Sequence, residues 1–318
     1  MESTFSADST TDEVMQGIDL HGQCALITGA SSGLGVETAR SLARGGATVI
    51  MAARDERKTR AAMAGILQEL PGAELIFMPL DLSDPASILQ CAESIRSSRP
   101  RLELLINNAG VMACPLRRTA QGWEWQLAVN HIGHFLLAGE LVPTLLQAPS
   151  PRVVNLTSGG HQFAAVDFED PHFQHRPYDR WLAYGQSKTA NIWHALGLFE
   201  RLGDRGLSAF AVHPGAVHTE LGRHMSAEEL QGLQDGSDDA PGLTFKSIPQ
   251  GAATTVWAAT SAALSGRGGL YLEDCGIGSP VQGEGLSTSG YAPWALDRER
   301  ADVLWRLSEE WLGKRFAW

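Results

Sequence analysis

Cysteine is scarce in this chain of 318 residues. The four cysteines, Cys24, Cys91, Cys114 and Cys275, lie far apart and form no C-x-x-C pair or other metal-binding spacing. A disulfide-rich secreted domain and a structural zinc site both need closely grouped cysteines. We therefore expect these cysteines to be reduced and mostly structural, in a cytoplasmic protein, and we predict no metal site.

Long apolar runs and basic residues are also in short supply. No stretch reaches the roughly 18 apolar residues of a membrane-spanning helix, and the polar, acidic N-terminus lacks the features of a signal peptide. We therefore expect no membrane span and a flexible tail over residues 1–20. The net charge is -11, from 25 Lys and Arg against 36 Asp and Glu. Because nucleic-acid binding needs a basic surface, this balance argues against a nucleic-acid partner.

The rest of the chain, residues 21–318, has the composition of one large globular domain. Hydrophobic residues make up 43% of the sequence, which is enough for a sizeable core. Short apolar runs alternate with helical patterns, which predicts an α/β fold with a single doubly wound parallel sheet and helices on both faces. The predicted strands cover residues 23–28, 48–51, 74–78, 102–106, 152–156, 208–212 and 269–272.

A glycine-rich turn follows the first predicted strand. Gly29, Gly33 and Gly35 lie between that strand and a segment that is helical in pattern from Val36. Glycines allow close approach of a pyrophosphate, and the N–H groups and dipole of a helix N-terminus favour its negative charge. The order of strand, turn and helix favours a nucleotide site over an ordinary surface turn.

Tyr184 and Lys188 lie four residues apart in a segment that has a helical pattern, so both can face one site. A lysine ammonium near a tyrosine favours the phenolate and is expected to lower the pKa of the phenol. The pair is a candidate general acid/base, although the same spacing also occurs on ordinary helix surfaces.

Taken together, these motifs resemble the short-chain dehydrogenase/reductase family. The resemblance is carried, in the family's order, by Thr28 with the three glycines, Asn107–Gly110, Asn130, Ser158, Tyr184 with Lys188, and Pro214–Gly215. Residues 130–135 and 213–221 are similar to the branch that contains retinol dehydrogenases and carbonyl reductases. The resemblance implies a Rossmann-like sheet with strand order 3-2-1-4-5-6-7 and a cofactor at the carboxyl ends of its strands.

The resemblance also implies roles for individual residues. Tyr184 would be the general acid/base, Ser158 would hydrogen-bond the substrate oxygen, and Lys188 would lower the Tyr184 pKa and bind the nicotinamide ribose. Asn130 would hold a water in a proton relay through Lys188, unless it is only a helix-bending polar residue. The implied cofactor-binding residues are Gly29, Ser31, Ser32, Gly33, Leu34, Gly35, Asp81, Leu82, Asn108, Ala109, Gly110, Tyr184, Lys188, Pro214, Gly215, Val217 and Thr219.

The end of the second strand indicates which cofactor is used. An NAD enzyme usually has a carboxylate there, whereas this chain reads Met51-Ala52-Ala53-Arg54. A guanidinium suits the 2'-phosphate of NADP(H), so Arg54 predicts NADP(H), with NAD(H) as the alternative. Arg54 could instead simply begin the polar cap of the next helix.

The substrate side is the least informative part of the sequence. Residues 221–245 form a candidate substrate loop, and the apolar Met225, Leu230, Leu233 and Leu243 suit either an apolar ligand or an amphipathic helix packed on the core. The segment between Ser158 and Tyr184 is expected to line the substrate mouth or to be a surface excursion. A helical extension over residues 280–318 is expected to pack on the core or to build a homo-oligomer contact.

These observations predict an NADP(H)-dependent oxidoreductase that interconverts an alcohol with a ketone or aldehyde on an apolar small molecule. Two alternatives stay open: an NAD(H)-dependent dehydrogenase of the same type, and a non-catalytic protein that senses or binds a dinucleotide on the same fold.

Overall fold

The structure is a computed structural model that describes residues 4–236, 242–282 and 287–318. Parts of the predicted substrate loop and of the C-terminal extension lie outside these ranges. The described strands are β1 Cys24–Thr28, β2 Thr48–Ala53, β3 Leu75–Pro79, β4 Leu104–Asn107, β5 Arg152–Leu156, β6 Ser208–His213, β7 Ala216–Val217, β8 Phe245–Lys246, β9 Leu270–Glu273 and β10 Gly276–Ile277. The described helices are α1 Thr11–Val14, α2 Gly33–Arg44, α3 Glu56–Glu69, α4 Pro85–Ser98, α5 Trp125–Leu127, α6 Gly133–Leu145, α7 Arg180–Leu202, α8 Ala227–Asp235, α9 Ile248–Thr260 and α10 Arg298–Leu312.

The main sheet has the order β3-β2-β1-β4-β5-β6-β9-β10. All of its strands run parallel except β10, which pairs antiparallel with β9 at the edge. The predicted order 3-2-1-4-5-6 is confirmed, and the predicted last strand is β9. The inner strands β1, β4 and β5 are buried along their whole length, as expected for a parallel sheet covered on both faces.

Helices cover both faces of the sheet. One face carries a core that includes Leu42 of α2 and Trp257 of α9, and the opposite face carries a core that includes Leu141 of α6, Trp193 of α7 and Leu304 of α10. Because each βα unit crosses over the sheet, the polar strand ends meet at one carboxyl edge, which is where ligands bind in this type of fold.

The N-terminal segment differs from its predicted flexible state. Helix α1 begins at a capping box in which Thr10 and Glu13 bond each other's backbone N–H groups. Val14, Met15 and Leu20 are buried in the core beside α2 and α9. Arg40 of α2 also bonds Asp12 at 2.7 Å. The prediction of a flexible tail is therefore wrong for residues 4–20, because apolar burial and ion pairing hold them on the domain.

The C-terminal helix α10 packs on α7, and its buried residues include Leu304 and Trp305. Beyond it, the Trp318 indole N–H donates to the Gly139 carbonyl at 3.0 Å, and the Phe316 and Trp318 rings stack with 5.3 Å between centroids. Core packing is thus what the described part of the extension does. Within the described part of the chain, no helix is long and apolar enough to span a membrane.

Candidate active site

The glycine-rich turn joins β1 to α2 and closes tightly on the neighbouring strand. Gly29 has φ +67°, and a Cβ there would lie 2.8 Å from Cα of Ala109. A Cβ on Gly35 would lie 2.5 Å from the Gly29 carbonyl oxygen. Only glycine fits both positions. Ser32 precedes α2 as its N-cap residue but makes no side-chain capping bond, so the first N–H groups of α2 are available to an anion.

A cleft of about 1520 Å³ opens above this turn along the carboxyl edge of the sheet. Every cofactor-binding residue predicted from the sequence lines it, including Asp81 and Leu82 after β3. The turn therefore has the shape and the donors that a dinucleotide pyrophosphate requires, and the structure brings the predicted residues together.

Arg54 lies at the end of β2, is exposed, and lines the same cleft. Lys58 on α3 also lines it and was missed in the sequence analysis, although it follows Arg54 by one helical turn. The Lys58 ammonium pairs with the Glu220 carboxylate, which also accepts a hydrogen bond from the Ser32 hydroxyl at 3.4 Å. Two cations thus face the position where the second strand ends.

The end of β4 is tied to the glycine turn by side-chain hydrogen bonds. The Asn108 amide donates to the Thr28 carbonyl at 2.7 Å, and the Ala109 N–H donates to the Thr28 hydroxyl at 3.0 Å. These bonds hold the 108–110 loop against β1, so this loop and the turn form one rigid wall of the cleft.

Asn130 lies in a π-helical turn, Ala128–Ile132, between α5 and α6. Its side-chain oxygen accepts from the Val111 N–H at 2.8 Å, and its amide donates to the Val111 carbonyl at 2.9 Å and to the Ser187 hydroxyl at 2.8 Å. The side chain therefore fixes the loop after β4 and does more than bend a helix. Its role in a proton relay stays a prediction.

His134 connects Asn130 to β1. Its Nδ1 lies 2.8 Å from the Asn130 carbonyl oxygen and its Nε2 lies 2.8 Å from the Thr28 hydroxyl. Since a carbonyl only accepts, Nδ1 carries the proton and Thr28 donates to Nε2. His131 bonds the Ser308 hydroxyl at 2.8 Å. Both histidines are buried, and each is bonded to another part of the domain.

Ser158, Tyr184 and Lys188 meet at the floor of the cleft. Ser158 follows β5, while Tyr184 and Lys188 lie one turn apart on α7 and are almost fully buried. The Lys188 ammonium donates to the Leu156 carbonyl at 3.1 Å and lies 5.7 Å from the centroid of the Tyr184 ring. The hydroxyl of Thr157, the residue before Ser158, instead donates to the Lys188 carbonyl at 2.8 Å.

Burial has the largest effect on the pKa values of Tyr184 and Lys188. It raises the pKa of Tyr184 to about 12, and a hydrogen bond with the Ser158 side chain acts in the opposite direction. Burial also lowers the pKa of Lys188 to about 8. The expected lowering of the Tyr184 pKa by Lys188 is therefore not seen in the protein alone, because burial disfavours the phenolate more than the Ser158 hydrogen bond favours it.

Pro214 and Gly215 follow β6 and complete the cleft next to Ser158. Gly215 has φ +81° and is covered by Lys246, whose Cδ would lie 2.9 Å from an added Cβ. Thr219 lies over the glycine turn, with its methyl 3.2 Å from a Cβ on Gly33. The chain after β6 thus returns across the cleft to β1.

The substrate side of the cleft is largely apolar. Met225, Leu230, Leu233 and Leu243 of the described substrate loop all line it, and none of the residues of α8 is buried. The reading of this segment as a helix packed in the core is therefore wrong for α8. Phe163, from the segment between Ser158 and Tyr184, lines the cleft together with Trp125 and Val129.

A family model for the short chain dehydrogenases matches residues 23–230, which is more than half of the chain. The chain belongs to the short-chain dehydrogenase/reductase family. It is therefore an oxidoreductase with a Rossmann-like fold, of a family that binds NAD(P).

Two curated relatives of this family member cover most of its length. A probable oxidoreductase of Streptomyces antibioticus is 43% identical over 91% of this chain and 97% of its own. Human retinol dehydrogenase 12 is 37% identical over 94% of this chain and 89% of its own. The resemblance to the retinol dehydrogenase branch is thus confirmed.

Solved structures agree on the fold of this short-chain dehydrogenase/reductase. A protein from Mycobacterium paratuberculosis has a TM-score of 0.75 and 33% identity, and the match covers 99% of this chain and all of that one. A short chain dehydrogenase of Shigella flexneri, solved in complex with NADP, has a TM-score of 0.61 and 26% identity over 80% of this chain and 97% of its own.

Proposed function

We propose that this protein is an NADP(H)-dependent oxidoreductase that interconverts an alcohol with a ketone or aldehyde on an apolar small molecule, with Tyr184 as general acid/base. The observation that carries the proposal is that one cleft joins the glycine turn, the cations Arg54 and Lys58, and the group Ser158, Tyr184 and Lys188. Binding groups and candidate proton donors thus share one site.

The residues present fit a dinucleotide. The tight turn at Gly29 and Gly35 leaves room for a pyrophosphate at the N-terminus of α2, and Arg54 and Lys58 supply positive charge for a 2'-phosphate. The NADP complex of the Shigella flexneri relative supports the same assignment. When bound, the nicotinamide supplies or accepts the hydride in this chemistry.

The protein's own residues would handle the proton and the charge on the substrate oxygen. During reduction, the Tyr184 hydroxyl donates its proton to that oxygen, and during oxidation it takes the proton back. The Ser158 hydroxyl donates a hydrogen bond to the same oxygen and stabilises its developing charge. Lys188, buried one turn along α7, favours the phenolate whenever its amine is protonated.

The apolar wall of the cleft supports an apolar substrate. Met225, Leu230, Leu233 and Phe163 line the same cleft as Tyr184. An apolar ligand that covers these side chains gains about 25 cal/mol for each Å² of apolar surface removed from water.

The first test is a binding titration of NADPH and NADH against wild type, Arg54→Ala and Arg57→Ala. Loss of a charged hydrogen bond should weaken NADPH binding by roughly tenfold or more in Arg54→Ala and leave NADH binding nearly unchanged. Arg57 is the matched control, because it is equally exposed but does not line the cleft. Turnover is then followed by nicotinamide absorbance with apolar aldehydes, ketones and alcohols.

Tighter binding of NADH than of NADPH would overturn the cofactor assignment. Binding of neither nucleotide would contradict the proposed function. Cofactor binding without turnover across the whole panel would favour the alternative of a non-catalytic dinucleotide-binding protein.

A further inference from the structure

Two histidines contact the turn that carries Ser158: His161 is buried, and His213 is half-buried at the edge of the cleft. The His161 ring Nδ1 lies 2.6 Å from the Ser158 carbonyl oxygen, and its Nε2 lies 3.0 Å from the Ala292 N–H. Since the Ala292 N–H can only donate, Nε2 is the acceptor and Nδ1 carries the proton. His161 therefore donates to Ser158, and its tautomer is fixed by the C-terminal segment.

His213 holds the same turn from the neighbouring strand. Its Nδ1 accepts a hydrogen bond from the Gly159 N–H at 3.1 Å. It comes from the end of β6, immediately before Pro214, and its ring lines the cleft. The peptide between Ser158 and Gly159 is thus held at its carbonyl by one imidazole and at its N–H by the other.

The rest of the turn leaves Ser158 little freedom. The Ser158 carbonyl also accepts from the His161 backbone N–H at 3.0 Å, and the Ser158 hydroxyl accepts from the Gly160 N–H at 3.1 Å. The next glycine is in close contact with the general acid/base, since a Cβ on Gly160 would lie 2.7 Å from Cε1 of Tyr184. A shift of this turn would therefore change the geometry between Ser158 and Tyr184.

We propose that His161 and His213 are positioning residues, which hold the Ser158–Gly159 peptide from both sides and so set the Ser158 hydroxyl against Tyr184. The proposal rests on the proposed function. It predicts that the histidines act on the proton-transfer step and leave cofactor binding unchanged.

Both imidazoles suit this role because they stay neutral. Burial lowers the pKa of His161 to about 4 and that of His213 to about 3, so neither ring gains a proton near neutral pH. The titratable groups that act on His213 are His161, Lys246, Asp274 and Lys188, and the substitutions below alter only His161, which carries no charge near neutral pH. A neutral ring keeps one donor and one acceptor, as the observed contacts need.

The test compares His161→Phe, His161→Asn and His161→Gln with the control His194→Phe. His194 is also a buried histidine, on the helix that carries Tyr184, and neither of its ring nitrogens has a polar partner. We expect kcat to fall by roughly tenfold to a hundredfold in His161→Phe, with KM for NADPH nearly unchanged. His161→Asn, whose amide can replace Nδ1–H, should recover much of the activity, and the control should lose little.

A pH profile separates positioning from general destabilisation. The hydrogen bond from Ser158 opposes the rise in the Tyr184 pKa in the free protein, so a loosened turn should move the alkaline limb of kcat/KM for the carbonyl substrate to higher pH in His161→Phe. The ¹³Cζ resonance of labelled Tyr184, assigned with Tyr184→Phe among the four tyrosines of the chain, reports the same hydrogen bond without turnover.

Equal loss of kcat in His161→Phe and His194→Phe, or an unmoved alkaline limb and ¹³Cζ shift, would overturn the proposal. If His161→Phe does not fold, the comparison of His161→Asn with His161→Gln tests the proposal. Asn can reach the Ser158 carbonyl from the Nδ1 position whereas the longer Gln reaches towards Ala292, so equal activities would count against the proposal. Absence of turnover in the wild type would contradict the proposed function, while the resonance would still test the positioning.

Discussion

The pKa of Tyr184 differs from the value that its sequence neighbour Lys188 predicts. The spacing to Lys188 predicts a lowered pKa, yet burial raises the pKa of Tyr184 to about 12. A phenol that stays protonated at neutral pH is prepared to donate, and Ser158 supplies the hydrogen bond that favours the phenolate. The proposed acid/base therefore depends on the hydroxyl beside it as well as on the lysine.

Removal of the Tyr184 hydroxyl is expected to prevent efficient catalysis. In Tyr184→Phe, kcat should fall by at least about a hundredfold, because the substrate oxygen loses its proton donor. NADPH binding should be unchanged, and a fluorescence titration beside the rate assay checks both. Tyr291→Phe is the control, since Tyr291 lies outside the cleft. A Tyr184→Phe protein with near wild-type kcat would exclude Tyr184 as the acid/base.

The π-helical turn Ala128–Ile132 positions polar groups that a regular helix would place elsewhere. Such turns are rare and occur often at functional sites. Here the turn places the Asn130 side chain against both polar groups of Val111 and its carbonyl against His134. The element thus connects the loop after β4 to helix α7 through Ser187.

Loss of this connection should reduce stability. Asn130→Ala leaves the buried Val111 N–H without its partner, and we expect the free energy of unfolding to fall by about 2–4 kcal/mol. Urea unfolding measures the change. Ser187→Ala, which removes one of the three Asn130 bonds, should cost less. An unfolding free energy of Asn130→Ala equal to that of the wild type would show that the amide does not hold the loop.

The N-terminal helix α1 is an element whose position the sequence could have indicated. The T-x-x-E spacing of Thr10 and Glu13 is a capping-box pattern before an apolar pair, Val14 and Met15. The acidic composition of the segment instead predicted a tail. Composition alone does not reveal that Arg40 of α2 lies where it can pair with Asp12.

At the scale of the whole molecule, several buried histidines couple stability to pH. Burial lowers the pKa of His131 to about 3 and those of His134 and His161 to about 4, from an ordinary value of 6.5. Below pH 6.5 the unfolded chain takes up protons that the folded chain does not, so the free energy of unfolding falls as the pH falls towards 4. Above pH 6.5 this contribution is fully present.

The free energy of unfolding should therefore change with pH by a measurable amount. Each such histidine lowers the free energy of unfolding by at most about 1.4 kcal/mol per pH unit between 6.5 and its folded pKa. Urea unfolding at pH 7.5, 6.5 and 5.5 should show a clearly larger decrease in the free energy of unfolding over the acid step than over the step above it. His194→Phe removes one of these groups, since burial also lowers the pKa of His194, and should make that step shallower. Equal stability at pH 6.5 and 5.5 would contradict the argument.

Short-range patterns in the sequence were enough to predict the strands, the helices and a candidate site. Apolar runs of strand length predicted the parallel sheet, while the family resemblance carried by the glycine turn and the polar motifs implied its order 3-2-1-4-5-6 and the residues that line the cleft. These signals are local: a strand, a tight turn and a one-turn spacing on a helix each depend on a few neighbouring residues.

Features that depend on residues far apart in the chain become visible only in the folded protein. Lys58 meets Glu220, His161 meets Ala292, and burial raises the pKa of Tyr184, through contacts between segments far apart in sequence. Solvation, tautomer and ion pairing depend on everything packed around a group. No spacing within one segment records them, which is why the positioning of Ser158 became visible only in the folded chain.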